Sequence, residues 1–252
     1  MDSMASRAVR RWLPQQHGAW AMLVAPFLAG MLIAAPTPWD AVLLPAWLLG
    51  YLAAYHLQQW LRLDRLSRNP KAAARHVRPA LTFAAALLPL ALALVVHAPW
   101  LLLAAVCALP FLAVNCWYAR HNRERALLNG LAAVVPACGM LPVAVLLGGG
   151  TAGQAWRPAL VCLLYFAGTV FHVKTMIRER DSLTYLRASR AYHAGALVVA
   201  CFLSPWVAAF FALCLLRTLV VPALGRVPVP VVGAIEVALS LLLVGVLVPV
   251  YG

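Results

Sequence analysis

A chain of 252 residues that is 64% apolar carries more hydrophobic surface than a soluble fold of this size can bury. Its net charge of +13, with 20 Lys and Arg against 7 Asp and Glu, would point to nucleic acid in a soluble protein. Here the basic residues fall in bursts between apolar runs of about 20 residues, the length that crosses a bilayer, so composition excludes a nucleic-acid binder and predicts an all-α polytopic membrane protein.

In chain order, a short basic tail (1–14) holds Arg7, Arg10 and Arg11 and leads into Gln15-Gln16-His17-Gly18. Nine spans follow, over 19–35, 39–61, 80–97, 99–118, 126–147, 157–176, 191–204, 205–222 and 230–250, in one transmembrane domain covering 1–252. Spans seven and eight form one apolar stretch broken by Ser204-Pro205, where proline either kinks a single helix or opens the second arm of a hairpin. Charge favours two arms. With nine spans and the N-terminus in the cytoplasm, every Lys and Arg except Arg157 falls on the inner side. Basic loops are expected after span two (Arg62, Arg65, Arg68, Lys71, Arg75, Arg78) and after span six (Lys174, Arg178, Arg180, Arg187, Arg190). The six cysteines lie in apolar runs without a CxxC pair and read as small hydrophobes.

Polar side chains gather near the inner ends of the spans. Span two offers Tyr55, His56, Gln58 and Gln59; span four ends with Asn115 and Tyr118; span six ends with His172 and Lys174; span seven opens on Tyr192-His193. Each alone fits a snorkelling or interfacial residue, and together they suggest a polar cavity open to the cytoplasm. Asn122, Arg125 and Asn129 share a face if their segment is helical. Lys174 and Arg178, four residues apart, either bridge an anion or join a local network with Glu179 and Asp181. Glu236 and Arg217 lie at comparable depth on adjoining spans, and a structural intramembrane pair is expected. There is no GxSxG, Walker or HExxH motif, so catalytic residues are not identified; His17, His56 and His172 are candidate proton carriers, and no metal site is expected.

Three stretches carry a resemblance. Pro14-Gln15-Gln16-His17-Gly18-Ala19-Trp20, the run from Tyr118 to Arg125 and the run from Val173 to Arg180 are similar to YwiC-like bacterial membrane proteins. The architecture resembles the UbiA superfamily of intramembrane prenyltransferases, which implies nine helices and functional segments after the second and sixth. That superfamily holds magnesium diphosphate through Asn and Asp clusters. Here the first segment has Asp64 alone and the second has Glu179 and Asp181, so no cofactor is expected, and Mg2+ enters only if the metal-dependent chemistry is retained.

The resulting expectation is a UbiA-like bundle in the bacterial inner membrane, with a cytoplasm-facing cavity binding or modifying a lipid or isoprenoid with an anionic head. Arg62, Arg75, Arg78, Arg125, Lys174, Arg178 and Arg180 would hold the head, and Asn115, Tyr118, Asn129 and His172 would orient it. Membrane lipids are expected partners. An organic-anion carrier and a non-catalytic accessory subunit are the alternatives.

Overall fold

The computed structural model describes residues 12–14 and 17–252, with side chains for 12–14 and 18–252. The expectations for Arg7, Arg10, Arg11, Gln15 and Gln16, and for the His17 side chain, lie outside the described residues. Among the described residues there is no strand, and nine α-helices follow one another: α1 His17–Ile33, α2 Asp40–Leu66, α3 Pro70–His97, α4 Leu101–Arg120, α5 Leu127–Leu147, α6 Ala152–Ile177, α7 Leu183–Cys201, α8 Pro205–Val220 and α9 Val229–Tyr251. Seven of these nine are long and apolar enough to cross a membrane. The other two are α1, apolar but only 17 residues long, and α7, diluted by Arg187, Arg190 and His193. The protein is a multi-pass membrane protein.

One of the expected features changes. The long basic loops are mostly helix. α2 runs to Leu66 and α3 starts at Pro70, leaving residues 67–69 as the turn, and α6 and α7 are separated only by 178–182. With 27 and 28 residues, α2 and α3 are each about 40 Å long, roughly 10 Å more than the hydrocarbon core requires. Arg and Lys are good helix formers, so the polar ends of the spans stay helical where apolarity stops. Asn69 sets the start of α3, accepting the Lys71 N–H on its side chain with Pro70 at the first helical position. The 191–222 stretch forms two helices, the two arms that the charge count favours, with Ser204 capping α8 and Pro205 at its first position.

The helices gather into two compact units: Pro38–Ala132 with the described part of Met1–Gln16, and His17–Thr37 with Ala133–Gly252. In the first, α2 and α3 form an antiparallel hairpin against which α4 packs. At the far end of that hairpin Trp39 stacks on His97, with ring centroids 4.0 Å apart. Leu88, Leu92 and Val96 form an exposed apolar stripe along α3, the surface expected to meet lipid tails.

In the second unit α1 packs on α9, while α6, α7 and α8 succeed one another in contact. Val161, Phe211, Leu141 and Leu243 are buried in its core. Small residues set the spacing, as is usual between helices that cannot draw on a hydrophobic driving force. A Cβ on Gly30 would lie 2.3 Å from the Leu141 carbonyl oxygen, so only glycine allows α1 to approach α5 this closely. Cys138, Cys162 and Cys214 are buried free thiols in this unit, filling space as small hydrophobes.

Candidate functional site

Two polar clusters emerge, one in each unit. In the first unit Glu124, in the turn between α4 and α5, is the organising group. Arg62 of α2 pairs with it at 3.0 Å and Gln59 donates to its second oxygen at 3.2 Å. The Glu124 carbonyl accepts from Asn129 Nδ2 at 2.7 Å, and Asn115 Nδ2 donates back to Asn129 Oδ1 at 2.7 Å. Three expected residues, Arg62, Asn115 and Asn129, are thus brought together, but by an internal acid. Arg62 and Glu124 side chains are 35% and 26% exposed, so the pair is worth at most about 1 kcal/mol. Tyr118 is half-buried with its ring edge-on to Trp117, and Arg125 is exposed in the turn.

The shared face expected for Asn122, Arg125 and Asn129 does not form, because 121–126 is not helical. Asn122 adopts φ 54, and its N–H and that of Arg123 return to the carbonyls of Ala119 and Tyr118. This is a Schellman ending, with Asn in the left-handed position that stops α4.

Also in the first unit, His56 is buried on α2. It donates from Nε2 to the Trp12 carbonyl at 3.0 Å, which leaves Nδ1 to accept from His76 Nδ1 at 2.9 Å. Phe83 stacks over the His56 ring. Arg75 and Arg78 are exposed on α3. With Lys71 they occupy positions i, i+4 and i+7, a basic stripe on one helix face.

The second unit holds the most deeply buried ion pair among the described residues. Arg217 of α8 donates from Nη1 to Glu236 Oε1 of α9 at 2.5 Å, both side chains being 4% exposed. Arg217 Nη2 donates at 3.0 Å to His193 Nε2, whose ring is the neutral tautomer that donates from Nδ1 to the Ser189 carbonyl at 2.7 Å. Thr169 donates to Glu236 Oε2 at 2.9 Å. Ser240 donates to the Glu236 carbonyl at 2.8 Å, and Tyr165 OH reaches the same carbonyl at 3.1 Å. Gly168 makes room for this arrangement, since a Cβ there would stand 3.0 Å from His193 Nε2. His172 is 1% exposed, and its ring centroid lies 6.4 Å from that of His193.

Of the basic residues expected after span six, Lys174 pairs with Glu179 at 3.5 Å and lies over the Tyr185 ring. Arg178 caps α6, its N–H bonding the Lys174 carbonyl. Arg180 folds back to donate to the Met176 carbonyl and reaches the Val227 carbonyl at 3.4 Å. The first two bonds answer the last carbonyls of α6. The local network with Glu179 is therefore formed here. Among the described residues no group of three or more His, Cys, Asp or Glu side chains is placed to hold a metal ion. Of the acids in the two segments, Glu179 is engaged by Lys174, Asp64 lies in a strongly basic stretch and Asp181 is exposed, fewer oxygen donors than a magnesium diphosphate cluster uses.

Several participants are hard to pick out in the sequence. Tyr165, Thr169 and His172 fall at i, i+4 and i+7, Ser189 and His193 at i and i+4, and Glu236 and Ser240 likewise. That helical spacing of polar groups inside apolar runs is the available signal. Glu124 has none, since its partners come from a helix 62 to 65 residues away.

The comparisons with known proteins show one family. Residues 13–145 match the family described as "YwiC-like protein". The chain is 36% identical over 182 residues to a Bacillus subtilis protein described as "Uncharacterized protein YwiC", covering 72% of this chain and 73% of that one. It is 30% identical over 238 residues to an "Uncharacterized protein" of Haemophilus influenzae, covering 90% of this chain and 93% of that one. No solved structure matches the chain. By family match and relatives alike, the chain belongs to the YwiC-like family.

Proposed function

We propose that this YwiC-like protein is a nine-span, UbiA-like protein of the bacterial inner membrane, with its N-terminus in the cytoplasm, that binds a lipid or isoprenoid through its anionic head. The observation that carries this reading is the stripe of Lys71, Arg75 and Arg78 on the first turns of α3. All three are exposed, and among the described residues none of them meets a carboxylate. Like charges at this spacing repel, and Lys71 lies in the first turn of the helix, where the backbone dipole is also positive. A phosphate or carboxylate relieves both costs, and Arg offers it bidentate contacts. Beside the stripe is a shallow depression at the α2–α3 turn, lined by Trp60, Leu63, Ala73 and Val77 on its apolar side and by Asp64, Ser67 and Arg68 at its polar rim, where Arg68 offsets the one carboxylate.

In the other unit Arg178 and Arg180 are the corresponding basic group, and Arg180 has internal acceptors that weaken its claim.

The test is native mass spectrometry of the purified protein titrated with phosphatidylglycerol and with phosphatidylcholine. Wild type is expected to retain phosphatidylglycerol adducts selectively. The K71A/R75A/R78A variant should lose that selectivity by about tenfold or more, while R178A/R180A loses less. Equal adducts in the wild type and the α3 variant would remove the proposal.

A further inference from the structure

Five side-chain atoms of the second unit are buried without a hydrogen-bond partner among the described residues, Arg190 Nε and Tyr251 OH among them, and three others, His172 Nδ1, Ser189 Oγ and Arg217 Nε, lie on three successive helices. Their residues are 1%, 0% and 6% exposed. Inside a membrane domain each such group carries a desolvation cost with nothing to offset it. One orphan is an oddity, but three from adjoining helices need a common explanation.

The register of α6 and α7 brings two of them level. The helices run antiparallel, with Thr175 Oγ1 at 3.4 Å from the Tyr185 carbonyl at one end and Gly168 against His193 at the other. His172 and Ser189 lie between these contacts. A helical serine usually bonds the carbonyl one turn back. For Ser189 that carbonyl belongs to Tyr185, and Thr175 already reaches it, while Ser189 Oγ makes no bond there. Arg217 approaches from α8. Nε and Nη2 share one edge of the planar guanidinium, so the Nε–H lies on the side of the guanidinium whose Nη2 reaches His193.

We propose that His172, Ser189 and Arg217 enclose one ordered water molecule. It accepts from Arg217 Nε–H and exchanges hydrogen bonds with Ser189 Oγ and His172 Nδ1. This satisfies all three atoms with one molecule, within the two to four bonds a buried water makes. Charge selects water over an anion. Arg217 is already balanced by Glu236, and His193 is a neutral acceptor, so chloride would bring an uncompensated charge into the membrane interior. The water extends the polar core from α9 and α8 to His172 on α6, an imidazole that the direct hydrogen bonds leave out.

The sign of one substitution tests it. If no water is held there, Ser189→Ala deletes an unsatisfied hydroxyl and leaves Tm unchanged or raised. If the water is there, Ser189→Ala removes one of its holders and lowers Tm, by about 2–4 °C if the loss is near 1 kcal/mol. His172→Phe then adds little in the double variant, because the water has already gone. Lowered Tm with non-additive changes supports the water; raised or unchanged Tm in Ser189→Ala overturns it. Should His172→Phe fail to fold, wild-type protein with 15N-histidine in nanodiscs provides the second reading. Magnetisation transfer from water protons to His172 Nδ1 is expected, and its absence overturns the proposal. Replacing chloride with gluconate should leave Tm unchanged; a chloride-dependent Tm would assign the space to an anion and remove the water.

Discussion

At Arg217 two large opposed terms meet. Taking a guanidinium and a carboxylate out of water costs several kcal/mol each, and their attraction at 2.5 Å offsets this only because neighbours complete the geometry. Thr169 holds the second carboxylate oxygen, and His193 takes the second guanidinium nitrogen. Removing one member should therefore be worse than removing both. Arg217→Met is expected to lose about 3–5 kcal/mol in detergent-solubilised thermal or denaturant unfolding. Arg217→Met with Glu236→Met should recover most of that loss, because two thioether side chains of suitable volume then fill an apolar space. A double variant as unstable as the single would mean that the pair itself, not the stranded charge, sets the stability. Both residues stand out in the sequence as a cation and an acid inside apolar runs. Their helpers do not: Thr169, Ser240 and Tyr165 are unremarkable singly and matter only through helical spacing and a contact across about 70 residues.

Among the elements, the apolar runs of the chain mark seven of the nine helices to within about five residues, all but α3 and α7, since each run is long enough to be a span. The misreadings sit where apolarity stops but helix continues. α3 begins at Pro70 and α7 at Leu183, turning two supposed loops into amphipathic helix ends. Hydropathy reports where lipid ends, not where the backbone hydrogen bonds end. The α4–α5 turn fails in the opposite way, with polar spacing that suggests a helix face where Asn122 in fact breaks the helix. That break is testable. Asn122→Gly should be neutral or slightly stabilising, since glycine accepts φ 54 freely, and Asn122→Ala should cost about 1 kcal/mol. Because this turn carries Glu124, Asn122→Ala should also loosen the Arg62 contact, read as faster amide exchange over 121–126. Equal stability for the Gly and Ala variants would remove the left-handed stop as the cause.

For the whole molecule, the decisive quantity is which side of the membrane each basic group occupies. The residue 204–205 break matters most here, because it sets the parity of everything after it. Two helices, α7 and α8, occupy the stretch, yet α7 is polar enough at its start to fall short of an ordinary span. If α7 crosses, Arg226 and the α2–α3 turn lie on the cytoplasmic side, and Arg157 is outside. If α7 lies along the interface, Arg226 changes sides while residues before α7 stay where they were. The positive-inside rule favours crossing, because the alternative leaves Arg217 and Arg226 near the outer face. Exposed native thiols at Cys107 and Cys201 must first be replaced, after which single cysteines at positions 157, 68 and 226 can be labelled with an impermeant maleimide on intact spheroplasts. The expected pattern is labelling at 157 and protection at 68 and 226 until the membrane is permeabilised. Labelling at 226 with protection at 68 would place α7 at the interface, move the basic end of α8 to the outside, and end the nine-span reading while leaving the α3 stripe on the cytoplasmic face.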